Sequence, residues 1–175
     1  MRTHGSRPAY LPRDYSGVLA AVRDFRATGD REHAMKVACD LLWDAFHTKG
    51  LSWVGFYGIG GVNNEPDQMT LLARRDKPAC SPIGLHGCCG RGWKERKAIV
   101  VDDVRTLGPN YVACDPRDQA ELVLPMLETD GRCWGVLDAD SFDTHAFDDH
   151  DVRGMTALVE MLGLTAPIKG ETLRL

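Results

Sequence analysis

The chain has 175 residues, 43% hydrophobic and 26% charged, with a formal net charge of −4 and six cysteines. That size fits one compact domain, and that composition excludes a disordered chain. The acidic balance excludes the dense basic stripe that grips a phosphate backbone, and the apolar runs are too short to span a bilayer. No nucleic-acid or membrane partner is therefore expected. The start, MRTHGSRPAY, has no apolar stretch behind its positive charges, so no secretory signal is expected either. The expected location is cytoplasmic, where thiols stay reduced and cysteines pack, bind metal or react rather than form fixed disulfides.

In chain order, residues 1–13 read as an extended lead-in carrying Pro8 and Pro12. Val18, Leu19, Val22 and Phe25 predict a helix over 14–28. Asp30 is the N-cap of a stronger helix reaching Thr48, with Ala34, Val37, Ala38, Leu41, Leu42, Ala45 and Phe46 as its apolar stripe and Gly50 as its stop. Residues 51–59 and 68–75 read as strands, joined through Gly60-Gly61 and Asn63-Asn64. Residues 76–97 are irregular or weakly helical, 98–102 a short strand, and 103–118 a loop. AELVLPMLET and RCWGVLDADS flank Asp130-Gly131, a hairpin signal. Asp148 caps a last helix with Val152, Met155, Val159 and Leu162 on one face. The segment from Pro167 is expected to fray. The predicted fold is α+β: a domain over 14–166 and a tail over 167–175. A central antiparallel sheet carries the N- and C-terminal helices on one face.

A two-residue turn at Asp130-Gly131 would set Glu121 opposite Asp140 and Val123 opposite Asp138. Alternation then puts Glu121, Asp138 and Asp140 on one face with Val123, Val136 and Trp134. Leu122, Leu124, Leu137 and Ala139 take the other. Like charges opposed in a sheet are destabilising. The cluster is therefore a solvated strand end, a cation site, or a carboxyl kept protonated to act as an acid. Pro125, lacking an N–H, could insert a bulge and break this register.

Cys39 lies beside the apolar stripe of its helix and Cys133 in a strand, both read as packing residues. Cys80, Cys88, Cys89 and Cys114 fall in Gly- and Pro-rich segments, where reactive groups concentrate. Three chemistries are open to them. A zinc site with His86 is disfavoured because there is no CxxC pair. A Cys-His hydrolase has His86, His145 and His150 available, but no local pattern selects one. Redox chemistry needs two accessible thiols, one to become a sulfenic acid and one to condense with it.

The segments LSWVGFY, PACSPIGLHGCCG, VACD, ELVLP and GVLDADS occur in an order and spacing that resembles the free methionine-(R)-sulfoxide reductases, which are single GAF-domain enzymes. The likeness spans about residues 30–160. It implies a GAF-like fold and a set of roles. Cys114 would attack the sulfoxide, Cys80 would resolve it by a disulfide, and Cys89 would be a further exchange partner. Glu121, Asp138 and Asp140 would line the substrate pocket with Trp53 and Tyr57. The chain departs from the pattern between Cys80 and Gly87, which is one residue short, and at Cys88, where an aliphatic residue is usual.

The resemblance further implies free methionine-R-sulfoxide as substrate, thioredoxin or a similar dithiol as reductant, and a homodimer. No cofactor and no metal are expected, because two thiols supply the electrons. The rival reading is a non-catalytic GAF module that binds a nucleotide or small metabolite, since fold does not imply function. The acidic pocket residues suit an anionic nucleotide poorly.

Overall fold

The computed structural model describes residues 6–26, 29–60, 67–111 and 113–175. The first five residues of the lead-in, the end of the first expected helix at 27–28, the turn residues Gly61, Asn63 and Asn64, and Val112 lie outside them.

The first helix, α1, is short, Ser16–Ala21. It tightens into a turn in which Val22 N bonds to Leu19 O and Arg23 N to Ala20 O, three residues back. The second, α2, spans Arg31–Phe46, and Asp30 caps it by accepting from His33 N at 2.9 Å. Its buried residues are Ala34, Met35, Ala38, Cys39, Leu42 and Phe46. The predicted stripe is thus rotated by about one position: Met35 and Cys39 replace Val37 and Leu41, which are only partly buried. Gly50, in the left-handed region at φ 82°, ends the helical stretch as expected.

The strands are β1 (Trp53–Ile59), β2 (Gln68–Arg75), β3 (Ile83–Gly84), β4 (Ile99–Val101), β5 (Ala120–Leu127), β6 (Cys133–Ser141) and β7 (Leu173–Arg174). They form one sheet in the order β3-β2-β1-β6-β5-β4-β7. Every pairing is antiparallel except that of β7 with β4, which is parallel. The central sheet is antiparallel as expected, and the parallel β7 at its edge corrects one expectation, the frayed tail. Leu173 N bonds to Ala98 O at 2.9 Å and Leu175 N to Val100 O at 3.0 Å, so the end of the chain occupies the free edge of β4.

Helices α1, α2 and α4 (Asp149–Met161) cover one face of the sheet. Leu122, Leu124, Leu137 and Ala139 point into that core, all fully buried, as alternation predicted. Helix α4 opens on a capping box in which Asp148 accepts from His150 N and Asp151 N. Asp151 then receives Arg13 Nη1 at 2.8 Å and the Tyr15 hydroxyl at 2.8 Å, both in the interior.

The other face carries a second cluster with Trp53, Tyr57, Cys88, Cys89, Val123 and Val136. It is closed by α3, Cys88–Glu95, in a stretch read as irregular or weakly helical. The sequence CCGRGWKE is a poor helix former, and tertiary contacts override that weakness. Gly92 rests on Val123, where a Cβ would stand 2.7 Å from Cγ1. Trp93 Nε1 donates to Cys133 O at 2.9 Å, tying α3 to β6.

Candidate active site

The acid face is set by the β5–β6 hairpin, where Glu121 stands opposite Asp140 and Val123 opposite Asp138. The turn differs from the two-residue form. Glu128 N bonds to Arg132 O and Gly131 N to Glu128 O, with Gly131 left-handed at φ 85°. This is a longer loop followed by a bulge between Met126 and Leu127. The bulge absorbs the extra residue, so the register beyond it matches the count. Pro125 stays in register with Val136. Trp134 sits at the irregularity and turns to the opposite face, where it packs on the helical core and donates Nε1 to Leu164 O. It is thus absent from the acid face where alternation had placed it.

Strand β1 lies on the other side of β6 and sets Trp53 opposite Asp140 and Gly55 opposite Asp138. Trp53 and Tyr57 share the acid face, their rings 6.1 Å apart, both almost fully buried. Their polar ends hold the next segment: Trp53 Nε1 donates to Lys77 O at 3.0 Å and the Tyr57 hydroxyl to Cys80 O at 2.8 Å. The strand thereby positions the backbone that carries Cys80.

Together these elements enclose a cavity of about 120 Å³. Trp53, Tyr57, Cys88, Cys89, Cys114, Glu121, Asp138 and Asp140 all line it. Cys80 and Cys114 are both exposed; Cys114 lines the cavity, and Cys80 lies outside the lining but near enough to Cys114 to shift its thiol. Both thiols of α3 line the cavity, and Cys89 Sγ lies within 4.8 Å of carboxylate oxygens of Glu121 and Asp138. Glu121 and Asp138 are buried, at 6% and 7% exposure, so they are not a solvated strand end.

Burial and mutual repulsion govern the charge state here. Withdrawal from water, then the charge of Asp140, pushes the Glu121 carboxyl up to about 8. Asp138 and Asp140 are also raised, by the same desolvation and by neighbouring carboxylates. Glu121 is therefore largely protonated at neutral pH. Burial and contact with Cys80 push the Cys114 thiol up to about 12, and Asp138 adds to this. Cys114 is thus not a preformed thiolate in the ligand-free pocket.

Four further cavity residues carry no signal in spacing or composition. Asp118 accepts from Ser52 Oγ at 3.2 Å, and burial with the charge of Asp115 raises it to about 6. Tyr111 overhangs the acids. Lys77 is ion-paired with Asp115, which also binds Arg117 at 2.8 Å and is held well below the usual carboxylate range by Arg117 and then Lys77. All four lie in irregular segments, where placement depends on the sheet beneath.

The topology, with helices on one sheet face and a pocket under loops on the other, is that of an α+β domain, and the model of the GAF domain matches residues 30–165. The chain belongs to the GAF domain family. Within it, the chain groups with the free methionine-R-sulfoxide reductases. It is 29% identical to the free methionine-R-sulfoxide reductase of Saccharomyces cerevisiae over 75% of this chain and 73% of that protein. The X-ray structure of the Neisseria meningitidis free methionine-R-sulfoxide reductase in complex with its substrate superposes at TM-score 0.71 with 31% identity, covering 86% of this chain and 89% of that one. The reduced form of fRMsr of Staphylococcus aureus gives 0.70 and 29%, covering 87% and 94%.

Proposed function

We propose that the protein reduces free L-methionine-(R)-sulfoxide to methionine, with Cys114 as attacking thiol, Cys80 as resolving thiol and Cys89 as a further exchange partner. The observation that carries this is Cys114 in the lining of a cavity walled by Trp53 and Tyr57 and by buried acids, with Cys80 as its neighbour. Relatives of the same length act on this substrate by name.

The substrate is a small zwitterion. Its ammonium suits the carboxylates, and its methylenes suit the aromatic rings. Bound positive charge favours the thiolate form of Cys114 and offsets the part of its raised value that comes from Asp138, burial being the larger cause. The sulfur of Cys114 attacks the sulfoxide sulfur. The oxygen takes a proton from the acid cluster, where Glu121 carries one at neutral pH. The S–O bond of the substrate breaks as the hydroxyl passes to Cys114 Sγ, the transient bond between the two sulfurs breaks with its electron pair on the methionine sulfur, methionine leaves, and Cys114 is a sulfenic acid. The Cys80 thiol condenses with it, releasing water and closing a disulfide. A dithiol such as thioredoxin then returns both electrons. The two thiols supply all the reducing equivalents.

The test is turnover of the R and S epimers with thiols counted before and after. Cys114→Ser is expected to form no methionine. Cys80→Ser is expected to give one turnover without thioredoxin-driven cycling. A Cys114→Ser variant with full activity overturns the mechanism. Binding of the sulfoxide without loss of thiols makes the protein a sensor instead.

A further inference from the structure

One triad in the cavity wall combines donor atoms that thiol exchange does not need together. Cys89 Sγ, a Glu121 oxygen and an Asp138 oxygen all lie within 4.8 Å of one another, and all three residues are buried. Asp138 is 93% withdrawn from solvent (7% exposed), lines the cavity, and its Oδ1 has no hydrogen-bond partner. An acceptor left unpaired at such depth calls for a donor or a cation.

The donor set selects the kind of cation. Magnesium and calcium take six or more oxygens, and three ligands including a sulfur do not offer that. Zinc and its thiophilic relatives accept one sulfur at about 2.3 Å and carboxylate oxygens at about 2.0–2.2 Å, which places ligand atoms roughly 3–4 Å apart. The triad's ligand atoms, within 4.8 Å of one another, would have to draw together to reach that spacing. Glu121 and Asp138 sit on neighbouring strands and Cys89 on the first turn of α3, so the ligands approach from three elements.

We infer that Cys89, Glu121 and Asp138 bind a thiophilic divalent cation of the zinc class, its fourth position open to the cavity, and that the bound ion excludes the zwitterionic substrate. The exclusion rests on the function proposed above, because the substrate ammonium would seek the same acids. The metal site itself does not. On ligation the Cys89 thiol releases its proton to solvent, as does whichever carboxyl holds one, and nothing is oxidised or reduced.

The experiment titrates the reduced, chelator-stripped protein with cadmium and follows thiolate-to-metal charge-transfer absorption, with zinc as competitor. One equivalent is expected to bind. Cys80→Ser and Cys114→Ser are expected to keep the band, and Cys89→Ala to lose it. Asp138→Asn, which preserves shape, is expected to weaken binding at least tenfold. Added methionine-R-sulfoxide is expected to raise the cadmium requirement competitively. A band that survives Cys89→Ala, or disappears with Cys114→Ser, places the metal on other thiols and overturns the site. Unaltered affinity in Asp138→Asn overturns it as well. Cadmium binding unaffected by the sulfoxide overturns the exclusion alone, and turnover that proceeds with zinc bound does the same.

Discussion

Lys77 Nζ forms an ion pair with Asp115, the residue after Cys114, and Lys77 lies three residues before Cys80. The segments carrying the two exposed thiols are therefore latched to each other beside the cavity. Closing a disulfide requires the sulfurs to come within bonding distance, so a tether that limits their separation raises the closing rate. Lys77→Met is expected to slow disulfide closure about tenfold, with methionine release in the first turnover less affected. Lys77→Arg is expected to restore closure. Rapid quench with thiol counting checks this, and equal closing rates in all three proteins would remove the latch.

Glu121→Gln retains shape and a hydrogen-bonding group but loses the acid. The expected outcome is a loss of kcat of about a hundredfold, in the range general acids supply. The wild-type profile is expected to decline as pH rises through about 8, where the Glu121 carboxyl gives up its proton. The variant should lack that limb. A variant that keeps the limb assigns the acid to another group.

The same carboxyl links stability to pH. Its folded value, about 8, stands above the ordinary 4.5 because of burial and then Asp140. The folded state therefore holds more protons than the unfolded state between those values. Stability is full below about 4.5 and falls as pH rises through about 8. Asp118, raised to about 6, acts in the same direction. Chemical unfolding in chelator-containing buffer between pH 5 and 8 is expected to show a loss on the order of a few kcal/mol. Glu121→Gln should flatten part of the slope. A slope of the opposite sign would mean that these carboxyls are ionised in the folded protein.

The pair formed by Arg13 and Asp151 is sealed from solvent, both side chains at 0% exposure, with Tyr15 completing the acceptor. Removing one partner leaves a buried charge without compensation. Arg13→Met is expected to cost about 3–5 kcal/mol, measured by urea unfolding. A cost below about 1 kcal/mol would mean that water reaches Asp151.

Helix α3 approaches β5 only because residue 92 lacks a side chain. Gly92→Ala places a Cβ 2.7 Å from Val123 Cγ1, against a strand core that does not yield easily. The expected cost is about 1–3 kcal/mol from overpacking, with Cys89 shifted from Asp138. A drop in sulfoxide affinity beside the stability loss checks the displacement. Wild-type values for both would show that the valine rotates away.

The sequence by itself determined the parts whose partners are near in the chain. The hairpin count placed Glu121 opposite Asp140 and Val123 opposite Asp138, because period-two alternation leaves few registers and the bulge at Met126 and Leu127 cancels the extra residue of the longer turn. The Asp30 and Asp148 caps and the strand over 68–75 are local in the same sense. Trp134 shows the limit: a bulge, which depends on how the loop closes, sends it to the other face. Only tertiary structure decided the remainder. Helix α3 exists because Gly92 meets Val123 and Trp93 meets Cys133, not because CCGRGWKE favours helix. The end of the chain becomes a strand because β4 offers an edge. Lys77, Tyr111 and Asp118 join the cavity, and Cys89 meets Asp138, through packing between segments distant in sequence. The six cysteines were countable from the start, but their charge states were not. Burial, then neighbouring carboxylates, raises the Cys88 and Cys89 thiols, burial raises that of Cys114, and burial is a property of the folded sheet and the helix laid on it.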